Sequence, residues 1–195
     1  TISIVPSRVL GLNGQTAPSN QLTRAILGCG GISNSHLGMP GKILALCDVD
    51  SNRLKGQMAK VQGRGNKDVK GYHDFRDVIA RDDVDIIHTC TPPHWHAHMA
   101  IAAAQAGKAI WGEKPMSRTI GEGMAMKKEI EKAGVAFRIN TWFRFKSNFY
   151  GSGVTARQVK KAVDGGLLGK GPYKVTLSGV TGFNWKFNWS GKTNL

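Results

Sequence analysis

The chain has 195 residues, 41% of them hydrophobic, enough to bury the core of one good domain and part of another. No apolar run approaches the ~20 residues of a membrane-spanning helix, so no membrane span is expected. The net charge of +14 raises the question of a nucleic-acid partner. The Lys and Arg residues are nevertheless spread from Arg8 to Lys192, the densest runs (Lys127-Lys128, Lys160-Lys161) sit in helix-like segments, and no nucleic-acid reader motif is present. A nucleic-acid partner is therefore not expected.

Residues 1–21 read as an arm, punctuated by Pro6, Gly11, Gly14 and Pro18 and without apolar periodicity. Strands and helices then alternate. Strands are expected over Arg24–Leu27, Lys42–Cys47, Val69–Tyr72, Asp85–Thr91, Ala109–Gly112 and Ala136–Asn140. Helices are expected over Ser51–Val61, Asp74–Ala80, His94–Ala106 and Ile120–Ala133. The last begins at a Thr119-x-x-Glu122 capping box and stops at Gly134. Continuous apolar runs such as Ile43–Leu46 suit parallel strands covered on both faces. The expected fold is α/β, a doubly wound parallel sheet of the Rossmann type over residues 22–145.

Beyond Asn140 the pattern becomes aromatic and irregular. A helix is expected over Val154–Val163 and one alternating strand over Pro172–Val180. One strand cannot form a sheet alone. Residues 146–195 therefore read as the start of an incomplete α+β substrate domain, with 172–195 ordered only against further protein. Homo-oligomer formation through the sheet of that second domain is expected.

The densest chemical signal is Gly28-Cys29-Gly30-Gly31-Ile32-Ser33, which follows the first apolar strand. Asp48 closes the second strand, and only 18 positions separate it from Gly30, so the helix between must be short. Strand, Gly-rich turn, helix, strand, acid is the order of a dinucleotide-binding unit. Gly28 permits the tight turn, Gly30 admits a pyrophosphate close to the backbone, and Asp48 can accept from a ribose diol. Ser33 stands where the pattern prefers Gly or Ala. The Asp48 charge opposes a 2′-phosphate and Arg53 partly offsets it, so NAD is expected over NADP.

Thr91-Pro92-Pro93 and Glu113-Lys114-Pro115 follow the fourth and fifth strands, at the edge where doubly wound sheets bind ligands. Lys114 can donate to a reacting oxygen, or it can simply pair with Glu113. Pro115 is a candidate for a cis peptide, although X–Pro bonds are trans by default. His94, His96 and His98 open a helix. Residues 94 and 98 share one face and 96 another, no further ligand completes a set, and no metal site is expected. His96 reads instead as a hydrogen-bonding residue beside the cofactor. Cys29, Cys47 and Cys90 read as buried reduced thiols near the ends of neighbouring strands.

In order and spacing, Gly28-Cys29-Gly30-Gly31-Ile32, Cys47-Asp48-Val49-Asp50, Thr91-Pro92-Pro93-His94-Trp95-His96-Ala97 and Glu113-Lys114-Pro115-Met116 resemble the Gfo/Idh/MocA family, the glucose–fructose oxidoreductase and inositol dehydrogenase relatives. The resemblance covers the whole Rossmann segment, and Gly165–Lys170 resembles that family's entry into its second domain. It implies NAD(P)-dependent oxidoreduction of a sugar, cyclitol or glycoside. The cofactor would meet Gly28, Cys29, Gly30, Gly31, Ile32, Ser33, Asp48, Arg53, Thr91, Pro92, Pro93, His96, Glu113 and Lys114. Lys114 would contact the reacting hydroxyl, and Trp142 and Arg144 are candidate substrate contacts. The family's general-base His lies in the second domain, downstream of Leu195, so these residues resemble a cofactor half with the opening of a substrate half. The arm Val5–Gly11 and the Trp95 variant resemble exported bacterial members, a start at Thr1 rather than Met fits that, and a periplasmic location is expected, with a cytoplasmic one as the alternative. Two other readings fit the same motifs: an NAD-dependent glycosidase or lyase that oxidises its substrate transiently, and a non-catalytic NAD-binding protein.

Overall fold

The computed structural model describes residues 17, 20–141, 156–167 and 169. Residues up to Asn140 form one compact unit and those from Thr141 a second. In the first unit the elements run β1 (Thr23–Leu27), α1 (Ser33–His36), β2 (Lys42–Cys47), α2 (Ser51–Gly63), β3 (Lys70–Tyr72), α3 (Phe75–Ile79), β4 (Ile86–Thr89), α4 (Pro93–Gln105), β5 (Ala109–Gly112), α5 (Ile120–Ala133) and β6 (Phe137–Ile139). The second unit contains α6 (Ala156–Asp164). Residues 1–16, 18 and 19 of the arm, the strand expected over 172–180, Trp142 and Arg144 lie outside the described residues.

All six strands pair in parallel, in the order β3-β2-β1-β4-β5-β6. Because side chains alternate along a strand, β1 sends residues to both faces. Ala25 and Leu27 join Ala45, Ile87 and Ile110 in one core layer, closed by Val78 and Ile79 of α3, Ala97, Ala100 and Ala103 of α4, and Met126 and Ile130 of α5. Ile26 and Leu46 enter the other layer, closed by Leu37 and by Leu54 and Val61 of α2. The reversal of strand order lies between β1 and β4, so the crevice of a doubly wound sheet falls at their carboxyl ends.

Local chemistry sets the element ends. Asp50 caps α2 by accepting from the amides of Asn52 and Arg53, and Asp74 caps α3 through the Arg76 amide. Pro93 occupies the first turn of α4, where its missing N–H costs nothing. The expected fourth strand ends early, at Thr89. The Cys90 amide still reaches the Leu27 carbonyl at 2.7 Å, but Pro92 has no N–H with which to extend the ladder. The Lys114–Pro115 peptide is cis. The densest basic pairs, Lys127-Lys128 and Lys160-Lys161, are all solvent-exposed. No described helix is long and apolar enough to cross a membrane. In α6, Val159, Val163 and the following Leu167 form an exposed apolar ridge at four-residue spacing, and Lys160 pairs with Asp164.

The capping box at α5 is complete. The Thr119 side chain accepts from the Glu122 amide, the Glu122 carboxylate accepts from the Thr119 amide, and Gly134 closes the helix at φ 66°. Thr119→Ala should lower stability by about 1 kcal/mol, the usual cost of losing such a cap. Urea unfolding should show a lower midpoint at unchanged slope.

Candidate dinucleotide-binding site

The loops that follow the six strands gather at one edge of the sheet. After β1 the chain turns at Gly28, whose φ is 94°. A Cβ there would stand 2.7 Å from the Cys90 carbonyl carbon and oxygen and 2.8 Å from the Thr91 nitrogen, so only glycine lets the first turn lie against the loop after β4. At Gly31, by contrast, a Cβ would meet nothing within 4 Å, and at Gly30 only the Arg53 guanidinium at 3.8 Å. The amides of Gly30, Gly31 and Ile32 have no acceptor among the described residues. The turn thus presents open space and free N–H donors together, which is what an approaching pyrophosphate requires.

A cavity of about 600 Å³ opens over this turn. Of the residues expected from sequence, Gly28, Gly30, Gly31, Ile32, Asp48, Arg53, Thr91 and Pro92 line it. Phe75, His73, Arg76 and Met99 line it too and were not singled out from sequence, and Trp95, read there only as a family-motif residue, joins them. Phe75 and Trp95 meet edge-to-face with centroids 6.0 Å apart, giving the cavity an apolar wall. The signal for Phe75 was its place directly after β3, at the same sheet edge as Asp48.

Asp48 is already at work in the turn. One carboxylate oxygen accepts from the Cys29 amide at 2.7 Å and the other from the Asp50 amide at 2.9 Å. Each oxygen keeps a further lone pair for a hydroxyl donor. Arg53 pairs with Asp50 at 3.5 Å while its guanidinium reaches over Gly30.

Cys29, Ser33, Pro93, His96, Glu113 and Lys114 do not line the cavity. Ser33 is fully buried, donates to the Gly30 carbonyl at 2.6 Å and accepts from Gln57 at 2.8 Å, so it closes the turn from within. His94 and His98 are exposed and His96 is buried. The His96 ring nitrogens face the carbonyls of Thr91 and Pro115, each at 2.7 Å, tying the loop after β4 to the loop after β5. No group of His, Cys, Asp and Glu among the described residues could hold a metal ion. The three cysteines are free and buried, with the Cys29 thiol 3.7 Å from the Cys47 carbonyl. Burial, reinforced by the Asp48 charge, pushes the Cys29 and Cys47 thiols up to about 12. Burial likewise raises the Cys90 thiol well above its ordinary value.

Behind the turn lies a buried polar network that sequence reading missed. Arg24, in β1, donates to the carbonyls of His36, Leu37, Met39 and Gly41 and so shapes the loop after α1. His36 Nε2 contacts the Glu113 carboxylate at 2.7 Å, and its Nδ1 faces His88 Nδ1 at 2.9 Å. Asn140 donates to the same Glu113 oxygen, Oε1. Glu113 Oε2 accepts from the Lys114 backbone amide at 3.3 Å. Lys114 is exposed, and its ammonium has no partner among the described residues. Burial, with the neighbouring His36 and Arg24 charges, lowers the His88 pKa to about 3, so this ring is neutral.

A 3-2-1-4-5-6 parallel sheet with an open Gly-rich turn under an acidic residue defines a dinucleotide-binding Rossmann domain. Residues 22–141 match the model of an oxidoreductase family with an NAD-binding Rossmann fold, and residues 152–195 match that family's C-terminal alpha/beta domain. The chain belongs to the Gfo/Idh/MocA oxidoreductase family. It is 29% identical over 142 residues to the D-apiose dehydrogenase of Paraburkholderia graminis, covering 69% of this chain and 36% of that protein. A glycosyl hydrolase family 109 protein of a Shewanella species is 40% identical over 85 residues, covering 42% of this chain and 19% of that one. The fold superposes on the WlbA dehydrogenase of Bordetella pertussis, solved with NADH and UDP-GlcNAcA, with TM-score 0.66 and 26% identity over 77% of this chain and 41% of that one. The chain therefore spans well under half the length of these relatives.

His88 gives the network a pH signature. The unfolded chain takes up a proton on this ring near pH 6.5, whereas the folded chain keeps it neutral down to about 3. Its contribution to stability is complete above pH 6.5 and is lost as the pH falls towards 3, on the order of 1 kcal/mol per pH unit. Urea unfolding of the wild type and of His88→Asn between pH 7 and 4 should give a shallower acid-side decline in the variant. Equal slopes would contradict a neutral buried His88.

Proposed function

We propose that the protein binds NAD at this edge and oxidises a hydroxyl of a sugar, cyclitol or glycoside. The carrying observation is that an open Gly-rich turn and a lysine without a partner among the described residues stand on loops of one sheet edge, tied together by hydrogen bonds to Glu113. The relatives named as a sugar dehydrogenase and as a dehydrogenase solved with NADH and a nucleotide sugar support the same class.

In this reading the amides of Gly30, Gly31 and Ile32 hold the pyrophosphate, Asp48 accepts from the adenosine ribose, and Phe75 and Trp95 exclude water from the apolar side. Bound NAD supplies the hydride acceptor. The Lys114 ammonium donates to the substrate oxygen and stabilises the alkoxide character that develops there. The Asp48 carboxylate disfavours a 2′-phosphate, which supports NAD over NADP, with Arg53 as the partial counterweight. Trp142 and Arg144 are carried as substrate contacts from the family resemblance alone. So are the general base of the second domain, association through its sheet and the periplasmic location suggested by the arm.

The glycosyl hydrolase family 109 relative favours a second reading, redox-neutral cleavage of a glycoside by transient oxidation. Incubating the full-length protein with NAD and a panel of sugars and glycosides separates the two. Net NADH accumulation is expected, whereas glycoside cleavage without NADH would establish the second reading.

Two substitutions test the assigned roles. Lys114→Met should leave the NAD dissociation constant nearly unchanged and lower turnover by about a hundredfold, the scale of losing a transition-state donor. Near-normal turnover would reduce Lys114 to a structural residue. Asp48→Ala should weaken NAD more than NADP in calorimetric titration, and tighter NADP binding by the wild type would overturn the cofactor preference.

A further inference from the structure

Glu113 and Lys114 are adjacent, oppositely charged residues, and the simplest arrangement would pair them. The structure does not do so. Glu113 is almost fully buried and both its oxygens are engaged, Oε1 by His36 and Asn140 and Oε2 by the Lys114 backbone amide. The Lys114 ammonium has no partner among the described residues. Of the two side chains on Oε1, His36 comes from furthest along the chain, 77 residues away at the end of α1, directly behind the phosphate turn. It is fully buried, its carbonyl is held by Arg24 at 2.6 Å, and its second ring nitrogen is held by His88. Its ring is therefore fixed from two sides before it meets Glu113.

We propose that His36 is a positioning residue for Lys114: by occupying the Glu113 carboxylate it keeps that carboxylate away from the Lys114 ammonium, which stays available to a substrate oxygen. A buried carboxylate deprived of a donor must find another or leave the interior. Arg24 cannot readily serve, since it already donates to four carbonyls. The neutral His88 offers no charge. Among the described residues, the cation nearest in the chain that has no partner is Lys114, one residue along. His36 thus links the turn that holds a cofactor's phosphates to the loop that carries the reacting-oxygen donor. This inference rests on the proposed role of Lys114, but its first readout does not depend on turnover.

That readout is the reactivity of the Lys114 amine. The full-length protein without cofactor is treated with trace acetic anhydride at fixed pH, and acetylation of the Lys114 peptide is followed by mass spectrometry. His36→Leu should slow acetylation of Lys114 severalfold relative to other lysines, because the ammonium is drawn to Glu113. His36→Gln, whose amide nitrogen can stand where Nε2 stands, should restore the wild-type rate. The double variant His36→Leu/Glu113→Gln, with no carboxylate to capture the amine, should restore it too. A merely structural role for His36 predicts no such rescue by removal of a second partner. In turnover, His36→Leu should lower kcat at least tenfold while the calorimetric NAD dissociation constant changes less than threefold. Unchanged Lys114 acetylation in a folded His36→Leu protein overturns the proposal, as does a failure of the double variant to restore it. If His36→Leu does not fold, His36→Gln decides alone: wild-type acetylation supports the proposal and slowed acetylation overturns it. If acetylation responds as expected but no sugar-dependent turnover is found, the positioning stands and the dehydrogenase reading is what has failed.

Discussion

A carboxylate with only 3% of its surface exposed has to be supplied with donors, and the architecture of this sheet edge is largely the supply. Glu113 follows β5, yet its donors come from the end of α1, from the residue after β6 and from its own neighbour's amide. The first two contacts tie the segments after β1 and β6 to the loop that carries Lys114. Arg24 plays the matching part on the cationic side, its charge spread over four carbonyls of the loop after α1. His36 stands between the two, bonded to one through its ring and to the other through its backbone. The phosphate turn and the lysine loop therefore share one polar core rather than sitting independently on the sheet.

The fold was legible in the sequence because its signals are local. A continuous apolar run marked β2, the Thr119–Glu122 box and Gly134 marked both ends of α5 to the residue, and the short spacing to Asp48 forced a one-turn α1. The polar network was not legible because its members lie up to 116 residues apart, from Arg24 to Asn140, and only Glu113 among them stands in a motif. His36 looked like an ordinary helix residue and Arg24 like one more charge in a basic chain. What makes them functional candidates is burial, which no periodicity reports for a polar side chain inside a strand or a one-turn helix.

Ser33 shows how a motif can place a residue correctly in the chain yet misjudge what it faces. The fingerprint wants a small residue there for close packing, and Ser33 meets that demand by turning inward to Gly30 and Gln57. The aromatic wall was missed for the opposite reason. Phe75 follows β3 and Trp95 follows β4, and they meet over the turn although β2 and β1 stand between those strands, a contact that no local pattern reports.

The strand order also distributes resistance to opening unevenly around the cavity. The Gly-rich turn hangs from β1, paired on both sides and covered on both faces, whereas His73, Phe75 and Arg76 follow β3, a three-residue strand that among the described residues pairs only with β2. Local unfolding takes least free energy where a segment has one neighbour and few ladder bonds. The outer wall can therefore breathe while the floor keeps its shape, so the cavity can open at its rim while the free amides of the turn stay in place.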